Sequence, residues 1–226
     1  MKKKVTVFDI VMGAVMIIIS MAAIYPLYYI YINSVSGGAY VGANEVIFYP
    51  KGFTAYAYSI VFQNAAIVRA FVNSVFYTVT GTLLSVMLSS LCAYPLSRKD
   101  FYGRKIFTAA ILFTMFFSGG IIPLFLTVTD LHIYNTIWAI LLPSCISVYN
   151  VIVMRTFFQS ISYEITESAY IDGANDWIIF RKIIIPLSKP IIATMILFYG
   201  VANWNSFYNA LMFLNCLLYT SPSPRD

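Results

Sequence analysis

Side chains that could carry out chemistry are few and widely spaced in this 226-residue chain. Its three cysteines, Cys92, Cys145 and Cys216, form no C-x-x-C pair, and His132 is the single histidine. Metal sites and disulfide frameworks need such residues in close sets, so the cysteines are interpreted as small buried hydrophobic residues. The sequence also lacks a G-x-x-x-x-G-K-[ST] phosphate-binding loop, so the chain is not expected to hydrolyse ATP itself. We expect no catalytic residue, no metal and no cofactor.

Charge is concentrated in one long stretch, residues 167–186, which reads ESAYIDGANDWIIFRKIIIP. Ser162 is predicted to cap a short helix whose first turns carry acids, where carboxylates suit the helix dipole. Gly173 suits the left-handed conformation that ends a helix, and Asn175 or Asp176 can cap a second short helix. A DNA-reading helix-turn-helix is disfavoured, because both ends of the pair run directly into apolar segments and the loop carries acids as well as bases.

The segments around this stretch are apolar enough to cross a membrane. The chain is 60% hydrophobic and 10% charged, whereas soluble domains are about 45–50% apolar and about 25% charged. A spanning helix needs about 20 apolar residues, and we predict an all-α membrane protein with five spans, at about 8–32, 70–94, 106–128, 136–158 and 187–213. The basic, apolar N-terminus could also be a signal peptide, but its long apolar run without an A-x-A site favours an uncleaved first helix.

Lysine and arginine side chains predict the orientation of these spans. Eleven of the 14 lie at the N-terminus, between the second and third spans, at the end of the fourth span, or around the charged stretch. Because cytoplasmic segments carry such an excess, the N-terminus and the charged stretch are predicted to be cytoplasmic. Membrane topology therefore explains the basic pI without nucleic acid as a partner. Residues 33–69 are then external, and YVGANEVIFYPKGFTAYAYSIV within them is either a docking surface or a plain structured loop.

The charged stretch resembles the EAA loop, E-A-A-x-x-D-G-A-x-x-x-x-x-F-x-x-x-x-x-P, which marks the membrane subunits of ABC importers. The match is ungapped, with serine in place of one alanine, and its residues are Glu167, Ser168, Ala169, Asp172, Gly173, Ala174, Phe180 and Pro186. Other stretches, including FFSGGIIPLFL, YNTIWAILLP and PLSKPIIATMILFYGVANWNSFYNAL, resemble carbohydrate importer permeases of the oligosaccharide and multiple-sugar branch. The resemblance covers roughly residues 5–215.

This resemblance implies a six-helix permease fold, multi-pass in the bacterial cell membrane, that forms half of a translocation path. The implied partners are a second permease subunit, cytoplasmic ATPase subunits that receive residues 160–186 as coupling helices, and an extracellular sugar-binding lipoprotein. Residues 1–215 are interpreted as the transmembrane permease domain. Residues 216–226 are too polar and too short for a sixth span and are interpreted as a non-native tail.

Aromatic and amide side chains in the last predicted span suit a sugar, and they are Asn203, Trp204, Asn205, Tyr208 and Asn209. On a continuous helix, Trp204 and Tyr208 would be i, i+4 neighbours, as would Asn205 and Asn209. Aromatic faces pack against the apolar CH faces of a sugar ring, and amides bond its hydroxyls. The same residues could instead pack and hydrogen-bond neighbouring helices. Ser118, Gly119, Gly120 and Pro123 similarly predict either a helix break beside the path or a close-packing site.

Two other functions stay open on the sequence. A secondary carrier or channel outside the ABC class is disfavoured, because the predicted spans carry almost no charge near their middle. Such carriers also often contain internal repeats, and no convincing repeat is present here. An ABC permease for a non-sugar solute, such as phosphate or an amino acid, would keep the same fold and the same coupling loop.

Overall fold

The computed structural model describes residues 6–117 and 119–214, and every regular element in these ranges is helical. The chain divides into two units, residues 1–68 and 69–226. The first unit contains α1 (Val7–Ser34), α2 (Gly38–Gly42) and α3 (Tyr56–Gln63). A capping box between Thr6 and Asp9 begins α1. Its apolar side chains face outward almost throughout, as expected of a helix surrounded by lipid.

The loop after α1 is structured. The Tyr28 hydroxyl donates to the carbonyl oxygen of Phe48 at 2.6 Å, and Lys51 forms an ion pair with Glu45 at 3.0 Å. Val46 is buried within the same loop. The external segment predicted from the sequence therefore has a defined fold, and its role as a docking surface stays a prediction.

The second unit contains the remaining helices and most of α4, which begins in the first unit. Its helices are α4 (Ala65–Ser97), α5 (Arg104–Phe116), α6 (Ile121–Asp130), α7 (Ile137–Leu141), α8 (Val148–Ser160), α9 (Tyr163–Ile171), α10 (Asp176–Ile179), α11 (Ile185–Leu187), α12 (Lys189–Trp204) and α13 (Phe207–Phe213). A π-helical turn, Phe180–Ile184, joins α10 to α11 without a break. The helical run Asp176–Leu187 then meets α12 at an angle of 81°.

Only α1 and α4 of the described helices are long and apolar enough to span a membrane alone, and at most four spans result if each bent helix pair counts as one. The segment predicted as the fourth span is two helices, α7 and α8, separated by residues 142–147. Pro143 lies in this gap, and proline cannot donate the backbone hydrogen bond that would continue α7. The total of five spans stays a prediction.

The core of the second unit joins α4, α8 and α12 to the helices of the charged stretch. Its most buried members are Ala93, Leu96, Val151, Met154, Phe158, Ile179, Phe180, Ile184, Met195 and Tyr199. Small residues on α4, among them Gly81 and Ser85, let the helices approach closely. The Tyr199 hydroxyl lies 2.5 Å from Ser89 Oγ and accepts from the backbone N–H of Ser147 at 3.1 Å. One side chain on α12 thus fixes α4 and the start of α8.

Candidate coupling site and translocation-path residues

The turn between α9 and α10 depends on Gly173, whose φ is +79°. Its backbone N–H donates to the carbonyl of Tyr170 at 3.0 Å, and the N–H of Ala174 donates to that of Ala169 at 2.9 Å. These two bonds form a Schellman motif, which satisfies carbonyls that a helix end leaves unpaired. A Cβ at Gly173 would meet no atom within 4 Å. Glycine is required here by the backbone conformation and not by space.

The two predicted helix caps differ in the structure. Asn175 caps α10, because its Oδ1 accepts from the backbone N–H of Ile178 at 2.9 Å. Ser162 occupies the N-cap position of α9 but makes no side-chain capping bond. Asp176, the other candidate for the second cap, points its carboxylate to tyrosine hydroxyls instead.

Arg98, just beyond the end of α4, holds the helix pair in place. It is only 9% exposed, and its guanidinium carbon lies 5.4–5.8 Å from the ring centroids of Tyr94, Tyr163 and Tyr170. Its Nη2 donates to the Tyr170 hydroxyl at 3.1 Å, and its Nε lies 3.4 Å from Asp100 Oδ1. From the sequence, Arg98 serves only to predict the membrane orientation. Its spacing of four from Tyr94 is the sequence feature that indicates a cation–π contact between the two.

Asp176 completes this cluster from the second helix. Tyr170 donates a short hydrogen bond to Asp176 Oδ1, and Tyr94 donates to the same oxygen at 3.5 Å. Partial burial raises the pKa of the Tyr170 phenol, and the hydrogen bond to the carboxylate raises it further. The phenol therefore stays protonated and keeps donating. A cation just beyond α4 is thus linked through a tyrosine to an anion on α10.

The residues of the EAA-like motif divide between a buried and an exposed side. Ala169 and Phe180 are buried in the core, where the Phe180 ring lies 5.1 Å from that of Tyr94. Ala174 is half-buried, whereas Glu167, Ser168, Asp172, Gly173 and Pro186 are exposed. Neither Glu167 nor Asp172 forms an ion pair within the described residues. The motif thus anchors the helix pair with its apolar members and leaves its acids available outside.

Apolar side chains share this outer surface. Ile171, which directly precedes Asp172 in the sequence, is 82% exposed, and Trp177 of α10 is 58% exposed. An exposed apolar patch bordered by unpaired charge is typical of a protein–protein interface. We call Glu167, Ile171, Asp172 and Trp177 the outer face of the helix pair.

The five predicted path residues do not lie on one continuous helix. Because α12 ends at Trp204 and α13 begins at Phe207, the predicted i, i+4 pairs Trp204–Tyr208 and Asn205–Asn209 do not share one continuous helix. Asn205 donates back to the carbonyl of Val201 in its own helix at 2.9 Å. The same carbonyl also accepts from the backbone N–H of Asn205 at 3.1 Å, so the Asn205 side chain folds back onto the last turn of α12.

Two of the three amides bond neighbouring segments. Asn203 Nδ2 donates to Thr82 Oγ1 of α4 at 3.4 Å, and Asn209 Nδ2 donates to Ser144 Oγ at 2.8 Å. Asn203 and Trp204 line a cleft of about 170 Å³, together with Ser74, Tyr77, Ile140, Ser206 and Phe207. Asn205, Tyr208 and Asn209 are not part of that lining. The structure therefore brings together two of the five predicted path residues.

The predicted helix break near Gly120 is present. α5 ends at Phe116, α6 begins at Ile121, and Gly120 has a φ of +82°. Pro123 falls in the first turn of α6, where its missing N–H is tolerated. Ser118 lies outside the described residues. Whether this break borders the path stays a prediction.

The class of protein follows from these features. Apolar helices long enough to cross a membrane carry a firmly anchored helix pair whose outer face is unpaired. This arrangement is typical of a helical membrane transport subunit that binds a separate protein. The chain belongs to the family described as "binding-protein-dependent transport system inner membrane component", whose profile matches residues 5–218. It is the non-catalytic permease subunit of an ABC importer, and ATP is hydrolysed in a separate subunit. Such importers also contain a second permease and a substrate-binding protein. The resemblance drawn from the EAA-like loop is confirmed.

Relatives and a solved structure agree with this assignment. The chain is 40% identical over 208 residues to the polygalacturonan/rhamnogalacturonan transport system permease protein YtcP of Bacillus subtilis, covering 92% of this chain and 73% of that protein. It is 40% identical over 192 residues to protein LplC of the same organism, covering 85% and 65%. A crystal structure of a bacterial ABC transporter that imports the acidic polysaccharide alginate matches with a TM-score of 0.90 at 36% identity, covering 94% of this chain and 76% of that one.

Proposed function

We propose that this chain forms half of the translocation path for an oligosaccharide and receives ATP-driven motion through α9 and α10. Its relatives are named for transport of polygalacturonan or rhamnogalacturonan and, in the crystal structure, of alginate. The observation that carries the coupling assignment is the division of the EAA-like motif into a buried anchor and an unpaired outer face. We assign Glu167, Ser168, Ala169, Asp172, Gly173, Ala174, Phe180 and Pro186 to this coupling site.

Motion of the helix pair has two physical routes into the membrane helices. The first is polar and runs from Asp176 through Tyr170 to Arg98 at the end of α4. The second is apolar and runs from Phe180 and its buried neighbours into α8 and α12. Because packed interiors deform little, a displacement of the outer face moves these helices rather than being absorbed between them. α4 and α12 also carry the cleft at Asn203 and Trp204.

The cleft has a volume of about 170 Å³, so it would hold only part of an oligosaccharide at a time. Its lining offers an amide, hydroxyl groups and aromatic faces, which are the groups that bind polyhydroxylated rings. No charged side chain lines it within the described residues. A neutral lining favours recognition of hydroxyls, and any acid groups on the sugar would need charges supplied by the second permease or the binding protein. Asn205, Tyr208 and Asn209 are assigned to the path on their sequence proximity alone.

The proposed orientation places the N-terminus and the helix pair in the cytoplasm. Basic residues concentrate on that side, and the outer face then meets the ATPase. The external segments face a sugar-binding lipoprotein, and α1 contacts the lipid bilayer.

Uptake by cells tests this function. We expect a strain lacking the gene to lose uptake of labelled oligosaccharides and to regain it on complementation, with oligogalacturonides and neutral oligosaccharides of equal length compared side by side. Co-purification of an ATPase with the tagged chain, lost on charge reversal of the outer face, tests the coupling assignment separately. Uptake of phosphate or amino acids that depends on the gene, with no effect on any sugar, would contradict the carbohydrate assignment.

A further inference from the structure

A second cavity lies away from the coupling site, between the α4–α5 connection, the first half of α5 and Arg155 of α8. Its volume is about 860 Å³. One end is cationic, with Lys99, Arg104, Lys105 and Arg155, and the other end is apolar, with Ile106, Ala109 and Leu112. No residue of α9 or α10 lines it.

The positive charge at this end is not neutralised by the described residues. Arg104 and Arg155 each have a guanidinium Nη2 3.3 Å from the Gln159 side-chain oxygen when that amide is turned to accept from them. Two like charges thus converge on one neutral acceptor. Neither arginine forms an ion pair with any acid in the described part of the chain. Asp100, the acid in the lining, lies against Arg98 instead.

Neutral groups surround the cations of this cavity. Thr108 lines its wall, but its Oγ1 is shielded from solvent and so does not face the open cavity. Arg155 directs its Nε to the carbonyl of Leu96 at 3.0 Å, and Arg104 directs its Nη1 to that of Arg98 at 3.4 Å, so both guanidinium groups contact only neutral acceptors. An anion placed between the arginines could therefore accept several charge-assisted bonds.

We propose that this cavity binds an anionic phospholipid, with its phosphate between Arg104 and Arg155 and an acyl chain along Ile106, Ala109 and Leu112. The apolar end selects a lipid over a free anion, because a small anion would leave that surface uncovered. An acidic segment of a partner protein would likewise use only the cationic end. Basic pockets between helices at the cytoplasmic side of a membrane are suited to anionic headgroups. The inference rests on the proposed orientation of the α4–α5 connection and does not require transport.

Native mass spectrometry of the full chain in detergent, with equimolar phosphatidylglycerol and phosphatidylcholine, tests the site. We expect phosphatidylglycerol to be retained in preference by about tenfold or more, given the attraction of each basic residue for an anionic headgroup. The double variant R104Q/K105Q should reduce that preference to near unity. The matched control R181Q/K182Q removes the same charge from exposed positions outside the cavity and should keep the preference.

A second pair of variants probes the apolar end without changing charge. Ala109→Trp fills the cavity and should abolish lipid retention, whereas Ala110→Trp, on a neighbouring position outside the lining, should not. Folding is monitored by size-exclusion profile, and a folded A109W that has lost lipid supports the site. Three results would overturn the lipid site. R104Q/K105Q and R181Q/K182Q could lose the lipid preference equally, or the wild-type chain could retain the two lipids equally. Inorganic phosphate at an equal concentration could also displace phosphatidylglycerol. Because no ATPase or sugar is present, failure of this test leaves the proposed function untouched.

Discussion

The helix pair of the coupling site and the end of α12 are built in opposite ways. The helix pair is held by contacts with other segments: Arg98, just beyond the end of α4, and apolar side chains buried against α4, α8 and α12. The end of α12 is held by single polar contacts: Asn205 bonds its own helix, whereas Asn203 and Asn209 bond side chains of other segments. The first arrangement suits a rigid lever, and the second suits a segment whose side chains can adjust to a passing solute.

Because the two regions are held differently, substitutions in them should impair different steps of transport. A change in the helix pair is expected to interrupt transmission while leaving the path intact. A change near Trp204 is expected to alter solute selection while leaving transmission intact.

The largest effect is expected for Gly173→Val. Valine at a φ of +79° is strained by at least the usual cost of a left-handed residue, about 1–2 kcal/mol, and its β-branch adds to this. The Schellman turn should distort and sugar uptake should be lost, while immunoblots of membranes show normal insertion. Gly173→Asn is the matched control, because asparagine tolerates this conformation and the space around the Cβ is open. Normal uptake by the valine variant would show that the turn is not needed for coupling.

Arg98→Met should have the next largest effect. It keeps an unbranched apolar side chain but removes the cation that bonds Tyr170 and lies against three aromatic rings. Hydrogen bonds that involve a charged group contribute about 1.5–3 kcal/mol each, so we expect a lower Tm and reduced uptake with the ATPase still bound. Arg98→Lys should recover part of the loss, since it restores the charge without the planar fork. An unchanged Tm and unchanged uptake in R98M would remove the polar route from the mechanism.

Features set by local sequence were predicted better than features set by contacts between distant residues. Gly173 and Asn175 were predictable because turn and cap residues act through their own backbone, and the structure places both as expected. The Arg98 cluster was not predicted, because it joins residues more than 70 positions apart. The helix end at Trp204 was missed because no proline or glycine marks it. Periodicity predicts a continuous apolar helix through Asn205 and Ser206, where the structure has a turn whose side chains bond the carbonyls of Val201 and Asn203.

Charge reversal on the outer face should have a moderate effect. Glu167→Lys and Asp172→Lys change exposed carboxylates that have no ion pair in the described residues. We therefore expect little change in the Tm of the chain and a several-fold loss of co-purified ATPase, because like charges across an interface are costly. Asp130→Lys is the control, an exposed reversal at the end of α6 and on the side predicted to be external. Equal ATPase yield from all three variants would refute the docking assignment.

Tyr170→Phe should weaken coupling less than the loss of Arg98, because the ring is kept and only the hydroxyl is removed. The pKa of this phenol is raised above its ordinary value. A raised folded-state pKa gives stability that is present below the unfolded pKa of about 10 and lost as pH rises through the folded value. The wild-type contribution of Tyr170 should therefore be constant between about pH 6 and pH 9. A wild-type-minus-Y170F difference in Tm that changes across this range would contradict the protonated phenol.

The smallest stability effect is expected in the amides near the end of α12. Asn209→Ala removes a bond to Ser144, and such bonds within membrane proteins average about 0.6 kcal/mol. Asn205→Ala removes only a bond within its own helix and should change the Tm less.

The informative measurement is the KM for sugar uptake at equal ATPase yield. Asn203→Ala and Trp204→Ala, which alter the cleft, should raise KM several-fold, because sugar hydroxyls and CH faces lose their partners. If Asn209→Ala raises KM as much as Asn203→Ala, the path extends beyond the cleft along α13. If none of these four alanine variants changes KM, the end of α12 has a packing role alone. It would then not be an adjustable region that contacts the solute.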